Sequence, residues 1–212
     1  MQAATKVRNS CNYITVSSVG FEVIGGAVSQ GRLGPWEPKT LDERVDRMES
    51  LAQIRQLAMR YALAIDSRNI DAMAGLFAPD VRVGKKESGR EAIGKWYDRA
   101  LRNPKTSIHF VVNHIIDFDD ADHARGVVYC RDELEMVETG EWQVGTIQYW
   151  DTYERFDGEW CFVERKFHRW YIVDALTRPS HGAGLNTDDP LFARQLPEAY
   201  PTWHEFWARE PK

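Results

Sequence analysis

The first regular feature of the chain is a helical repeat of apolar residues between positions 51 and 65. Apolar side chains recur there every three or four residues, which is the spacing of one face of an α-helix. Upstream, Thr40 and Glu43 have the spacing of a capping box, a common start of a helix. The pattern therefore predicts one amphipathic helix that begins after Thr40 and ends near Asp66. Its apolar face consists of Leu51, Ile54, Leu57, Ala58, Tyr61 and Ile65.

Further along the chain, the apolar pattern changes from a helical period to an alternating one. Asn69 is placed to cap a short helix that ends before Pro79. Residues 81–84 predict a short strand and residues 89–103 a third helix. Longer stretches then alternate between apolar and polar positions and are rich in β-branched and aromatic residues, as strands are. These strands are predicted at about 106–118, 124–137, 143–156 and 160–173.

The connections between the predicted strands are short. DDAD at 119–122 reads as a turn, and Asp157-Gly158 is a dipeptide that favours tight β-hairpins. Short connections join neighbouring strands in an antiparallel meander. Three helices followed by such a meander predict an α+β fold, with the helices packed on one face of a curved sheet.

The two ends of the chain differ from this regular middle part. Residues 1–40 are rich in Gly and Ser and lack a clear period, which predicts a flexible N-terminal extension. Residues 41–175 are expected to form one domain. Residues 176–212 contain five prolines and are expected to form a tail, with a short helix at 201–210.

Composition narrows the possible partners. The 212 residues carry a net charge of −5 with no basic block, so we expect no nucleic-acid partner. No apolar run approaches the roughly 20 residues that a membrane helix needs, so we expect no membrane partner either. Three cysteines, without paired spacing, favour a reducing cytoplasm over a disulfide scaffold.

Two histidines in the stretch TSIHFVVNHI, His109 and His114, are candidates for function. On a regular strand a separation of five places them on opposite faces, so they cannot share a metal ion. One is therefore expected to face the helices and the other to face outward. Asn113 shares a face with His109, and two convergent polar side chains are typical of a ligand pocket. No metal-binding motif occurs elsewhere, and no metal site is predicted.

Asp66 is the acidic candidate. It lies beside the apolar face of the first helix and near its C-terminus, where the helix dipole disfavours a carboxylate. Asp66 could belong to a solvated turn, or it could reach His109. In the second case the carboxylate would fix the imidazole tautomer and strengthen the ring as a general base.

Further pocket candidates come from the predicted strands. Trp150 and Tyr149 point in opposite directions, so at least one is expected to pack in a cavity or a subunit interface. Arg169 shares a face with Arg165 and Phe167. If that face is internal, Arg169 is placed to bind an oxyanion or carboxylate of a ligand.

The stretches RYALAIDSRNIDAMAGLFAPDVRV, SIHFVVN and YWDTYERFDGEW, in this order, resemble the SnoaL-like branch of the nuclear transport factor 2-like superfamily. The resemblance implies a conical barrel, in which a curved antiparallel sheet wraps around the N-terminal helices and encloses an apolar cavity. Elimination enzymes of the superfamily, hexachlorocyclohexane dehydrochlorinase and scytalone dehydratase, use an Asp–His dyad. Their dyad positions match Asp66 and His109. Scytalone dehydratase also uses two tyrosines, for which Tyr61 and Tyr97 are the candidates.

The resemblance implies an enzyme that needs no cofactor, and no nucleotide-binding motif contradicts this. The expected substrate is a small apolar molecule, cyclic or aromatic, and the leading expectation is a dehydratase or related lyase. An isomerase or polyketide cyclase is an alternative. A non-catalytic binding or assembly module, such as a dioxygenase small subunit, is a rival of another class. Exposed aromatic residues of the sheet predict a homodimer or homotrimer.

Overall fold

The structure, a computed structural model, describes residues 35–176 together with His204 and Ala208. The helices are α1 (Leu41–Asp66), α2 (Ile70–Gly75) and α3 (Arg90–Ala100). Two short strands, β1 (Arg82–Val83) and β2 (Glu87–Ser88), form a small hairpin before α3. The long strands are β3 (Pro104–Phe118), β4 (His123–Met136), β5 (Trp142–Phe156) and β6 (Glu159–Asp174).

The order of elements confirms the α+β prediction, including a curved four-stranded antiparallel sheet in the order β3-β4-β5-β6. Strand β2 was not predicted. The predicted N-terminal extension at 1–40 lies outside the described residues except for its last six. The predicted terminal helix at 201–210 also lies outside them, except for His204 and Ala208, which are helical and exposed. The domain boundaries therefore stay a prediction.

The start of α1 has the predicted capping box. The Glu43 backbone N–H donates to Thr40 Oγ1 over 3.1 Å, and the Thr40 backbone N–H donates to Glu43 Oε2 over 3.2 Å. These two bonds satisfy donors that a helix start leaves open. The helix continues to Asp66, so its last residue lies beside the first residues of β3, against which α1 packs.

The β5–β6 hairpin turns at the predicted dipeptide. Asp157 has a φ of 50° and Gly158 a φ of 82°. Positive φ at both central residues is the geometry that matches the twist of paired strands. The hairpin fixes the register of β6, and therefore determines which side chains of β6 point towards the helices.

The core lies between α1 and one face of the sheet. Tyr61 of α1 makes edge-on ring contacts with Phe77, Tyr149 and Phe162, at centroid distances between 5.7 and 6.4 Å. Tyr149 therefore marks the helix-facing side of β5. Alternation along the strands assigns the other side chains to this face or to the outer one.

Strand β3 is interrupted by a β-bulge that inverts its alternation. Val111 pairs with Cys130 and His114 with Val128, so Val112 and Asn113 together oppose one residue of β4. His109 and His114 therefore both lie on the helix-facing side. The prediction that they lie on opposite faces is wrong, because it assumed a regular strand across the bulge.

Candidate active site

Asp66 and His109 are joined by a short hydrogen bond. Asp66 Oδ1 lies 2.6 Å from His109 Nδ1, and Asp66 Oδ2 accepts the His109 backbone N–H over 2.8 Å. Ser107 Oγ donates to Asp66 Oδ1 over 3.0 Å. An ionised carboxylate only accepts, so the proton of the neutral ring lies on Nδ1 and Nε2 keeps its lone pair. No residue within 35–176 hydrogen-bonds that Nε2 atom.

Arg68 holds the end of α1 against the start of β3. Its backbone is left-handed, with a φ of 59°. Its guanidinium donates to the Ile65 carbonyl over 2.8 Å, to Ser107 Oγ over 2.6 Å and to the Pro104 carbonyl over 2.9 Å. The left-handed turn and these bonds position Asp66 for His109. Sequence reasoning missed Arg68 and Ser107, although Ser107 shares a face with His109.

The environment of Asp66 favours its ionised form. Partial burial raises the pKa of this carboxyl. The hydrogen bonds from His109 and Ser107 lower it by more than burial raises it, so the net pKa lies below its ordinary value. At neutral pH Asp66 is therefore a carboxylate that can stabilise a positive charge on the His109 ring.

His114 belongs to a second polar chain on the same face of the sheet. His114 Nε2 lies 2.9 Å from the Tyr153 hydroxyl, which donates to Asp151 Oδ2 over 2.8 Å. Arg165 donates to both oxygens of Asp151, over 2.9 and 2.7 Å. Because Tyr153 gives its proton to Asp151, it accepts from His114 Nε2–H. His114 Nδ1 therefore has no proton, and no described residue hydrogen-bonds it.

The same surroundings keep His114 neutral. Burial, followed by the positive charges of Arg165 and Arg55, lowers the pKa of His114 to about 3. An unfolded histidine has an ordinary pKa, so between that value and about 3 the unfolded chain binds one more proton than the folded chain. His114 therefore reduces stability as the pH falls from about 6.5.

We expect the His114→Gln variant to lose less stability than wild type as the pH falls. Glutamine can still donate to Tyr153 but does not titrate. The slope of the free energy of unfolding against pH is expected to differ between the variant and wild type by at most about 1.4 kcal/mol per pH unit. The measurement is the free energy of unfolding in urea at about pH 7 and about pH 5. His123→Gln is a control of opposite sign: the hydrogen bond with Asp120 raises the pKa of His123, so this histidine adds stability as the pH falls, and its removal should steepen the loss. An unchanged acid slope in His114→Gln would contradict the prediction.

The two predicted tyrosines lie together under the sheet. The hydroxyls of Tyr61 and Tyr97 are 2.8 Å apart, and their rings meet edge-on. Burial raises the pKa of both phenols, so both remain protonated. Arg165 Cζ lies 4.3 Å from the Tyr61 ring centroid, so the tyrosine pair adjoins the polar chain that ends at His114.

Two predicted pocket residues lie elsewhere. Asn113 is exposed in the bulge and does not continue the face of His109. Trp150 lies on the outer face of β5, where its ring centroid is 4.0 Å from that of His168 and its Nε1–H donates to Gln148 over 2.9 Å. The prediction that Asn113 shares a face with His109 is wrong, whereas a ligand contact by either residue stays a prediction. The bulge displaced Asn113, and strand alternation turns Trp150 away from the helix-facing Tyr149.

Arg169, by contrast, lies on the helix-facing side. It is buried, and its Cζ is 4.7 Å from the Phe167 ring centroid. The condition set for its predicted role, that this face of β6 is internal, is therefore met. A ligand contact by Arg169 stays a prediction.

Comparison with known proteins assigns the family. The profile of the SnoaL-like domain matches residues 46–166, more than half of the chain. The chain belongs to the SnoaL-like domain family. A comparison with curated proteins gives no match.

Solved structures share the fold of this SnoaL-like protein. One is hexachlorocyclohexane dehydrochlorinase LinA-type3 from Novosphingobium barchaimii LL02, with 21% identity and a TM-score of 0.58 over 68% of this chain and 98% of that chain. Another is a candidate scytalone dehydratase from Novosphingobium aromaticivorans, with 20% identity and a TM-score of 0.55 over 68% of this chain and 99% of that chain. At these identities the likeness shows the fold alone.

Within residues 35–176, no three His, Cys, Asp or Glu side chains form a group that could hold a metal ion. No helix in the described part of the chain is long and apolar enough to cross a membrane.

Proposed function

We propose that this SnoaL-like protein is a cofactor-independent acid–base enzyme that removes a proton from a small cyclic or aromatic substrate. The observation that carries the proposal is the hydrogen bond between Asp66 and His109 Nδ1, which leaves the Nε2 lone pair available as a base. His109 is the proposed base, and Asp66 is the residue that orients the ring and stabilises the imidazolium.

The proposed reaction is an elimination, so the enzyme is proposed to be a dehydratase or related lyase. His109 Nε2 takes a proton from a carbon of the substrate, and the electrons of that C–H bond form a C=C bond. The leaving group departs from the neighbouring carbon with the electrons of its own bond. The proton then passes from His109 to the departing group or to water, which restores the base. General base catalysis of this kind contributes about 10²–10⁴-fold.

A substrate panel tests this proposal. The panel contains hexachlorocyclohexane and scytalone, the compounds in the names of the structural neighbours, together with halogenated and hydroxylated ring analogues. Chloride release and loss of water are followed for wild type, with His109→Ala as the inactive reference. Turnover by wild type well above that of His109→Ala supports the proposal. Equal rates for the two proteins on every compound would refute it.

Homo-oligomerisation stays a prediction, and the surface of β3 supports it. This strand lies at the edge of the sheet and exposes Phe110, Val112 and Ile115 by 49%, 67% and 54%. Exposed apolar side chains on a sheet edge favour association with another chain. Light scattering during size-exclusion chromatography measures the number of protomers.

A further inference from the structure

A third polar side chain, Asp132, lies beside the Asp66–His109 pair. It pairs in register with His109 on one side and with Gly145 on the other. The Cβ atoms of directly opposed residues on antiparallel strands are about 4.5–5.5 Å apart. Asp132 therefore shares the helix-facing side of the sheet with His109, and its carboxylate lies over Gly145. It is only 4% exposed.

Asp132 is buried without a hydrogen-bond donor. No residue in the described part of the chain donates to either of its oxygens, and Oδ1 is fully buried. Two nearby carboxylates differ in this respect, because Asp66 at the end of α1 accepts from His109 and Ser107, and Asp151 of β5 is paired with Arg165. A buried carboxylate without a partner is strongly unfavourable, so folded proteins keep such groups where a ligand or a reaction uses them.

The neighbouring strand makes room for this carboxylate. A Cβ atom on Gly145 would lie 2.1 Å from Asp132 Oδ1, far inside van der Waals contact. Glycine in a strand interior weakens the strand and marks a place of close approach. The Asp132 position thus depends on a second residue that is unfavourable for strand stability, which argues against a purely structural role.

We propose that Asp132 accepts a hydrogen bond from a hydroxyl group of the substrate, so that this protein acts on hydroxylated ring compounds rather than wholly apolar ones. The inference rests on the proposed function for the place of the reacting carbon, next to His109 Nε2. The hydroxyl bound by Asp132 and that carbon then belong to one substrate molecule on the helix-facing side of the sheet. A neutral hydroxyl is the favoured donor because it loses much less hydration on burial than an ammonium group.

Binding of two probes of similar shape, phenol and toluene, tests the inference without any turnover. Wild type is expected to bind phenol at least about tenfold more tightly than toluene, since hydrogen bonds to charged groups contribute at least this much. In Asp132→Leu this ratio should fall to about one, with toluene binding no weaker than in wild type. Dissociation constants come from calorimetric titration.

Two further variants keep the test independent of one substitution. Asp132→Asn keeps the side-chain shape and should give an intermediate ratio. Gly145→Ala keeps the carboxylate but displaces it, so the preference for phenol should also fall. The melting temperature of Asp132→Leu should rise above that of wild type, because the variant replaces a buried polar group that has no hydrogen-bond donor by an apolar one. A structural role would lower the melting temperature instead.

The inference is overturned if wild type does not prefer phenol, or if Asp132→Leu keeps the wild-type ratio. Its failure is distinguishable from failure of the proposed function. If His109→Ala abolishes turnover while Asp132→Leu keeps the phenol preference, only the role of Asp132 is wrong. If Asp132→Leu loses that preference while turnover is insensitive to His109→Ala, the acid–base proposal is wrong and the hydroxyl site stands.

Discussion

His109→Ala is expected to lower kcat/KM by about 10²–10⁴-fold on any panel compound that the wild type converts. The substitution removes Nε2, the proposed base, while the backbone N–H of His109 can still donate to Asp66. The fold should therefore persist, and the melting temperature reports whether it does. The measurement is steady-state kinetics with matched circular-dichroism melts.

Asp66→Asn tests the other residue of the pair and should lower kcat/KM by an amount similar to that of His109→Ala. The asparagine amide can donate to Nδ1, which would place the ring proton on Nε2 and remove the lone pair that accepts the substrate proton. A loss in kcat with little change in KM would indicate that the substrate still binds. An effect confined to KM would contradict the proposed role.

The surface of the protein offers a matched control for this pair. His123 Nδ1 lies 2.9 Å from Asp120, but the His123 side chain is 53% exposed. His123→Ala and Asp120→Asn therefore break a histidine–aspartate contact of similar geometry away from the sheet interior. Both are expected to keep wild-type kinetics. A loss in these variants as large as that of His109→Ala would show that the assay reports stability rather than chemistry.

Local sequence signals were sufficient for the helices and for the placement of Asp66. The Thr40 and Glu43 capping box and the apolar repeat set the start and the inward face of α1. A helix of that length ends at Asp66, beside the strand that carries His109. These features depend on residues close together in the chain, so a single amino-acid sequence is enough to identify them.

The bulge in β3 could not be predicted in the same way. The residues from Val111 to Ile115 read as a regular strand, and nothing in their composition marks Val112 and Asn113 as a bulge. The extra residue is defined only by pairing with β4. Since one inserted residue inverts the alternation of side chains, the prediction assigned both His114 and Asn113 to the wrong face of the sheet.

The buried charges were missed for a related reason. Asp132 and Asp151 lie in polar-looking stretches, RDELE and YWDTYE, which resemble solvated strand faces. Their burial arises from contacts between strands that are far apart in sequence, such as the pairing of Asp151 with Arg165. The sequence together with the family resemblance therefore indicated the contact between Asp66 and His109 but not the polar groups that surround it.

Arg165→Met is expected to lower the free energy of unfolding by about 3–5 kcal/mol, because it leaves Asp151 buried without its partner. The Arg165 and Asp151 side chains are 4% and 0% exposed. Arg165 Cζ lies between 4.1 and 4.3 Å from the ring centroids of Phe162, Tyr149 and Tyr61. Although burial lowers the pKa of Arg165, the negative charge of Asp151 outweighs it and raises the net value, so the pair remains charged.

A double-mutant cycle, measured by urea unfolding, separates the interaction energy of Arg165 with Asp151 from the effects of the single substitutions. Asp151→Leu alone leaves Arg165 unpaired and should cost a similar amount, whereas the double variant should be more stable than either single variant, because no buried charge remains. Arg102→Ala is the matched control. Arg102 also bonds an aspartate, Asp98, over 3.0 Å, but its side chain is 76% exposed, and such exposed pairs contribute about 0.3–0.5 kcal/mol. If Arg165→Met cost no more than Arg102→Ala, the buried pair would not hold Tyr153 and His114 in place, and the tautomer inferred for His114 would lose its support.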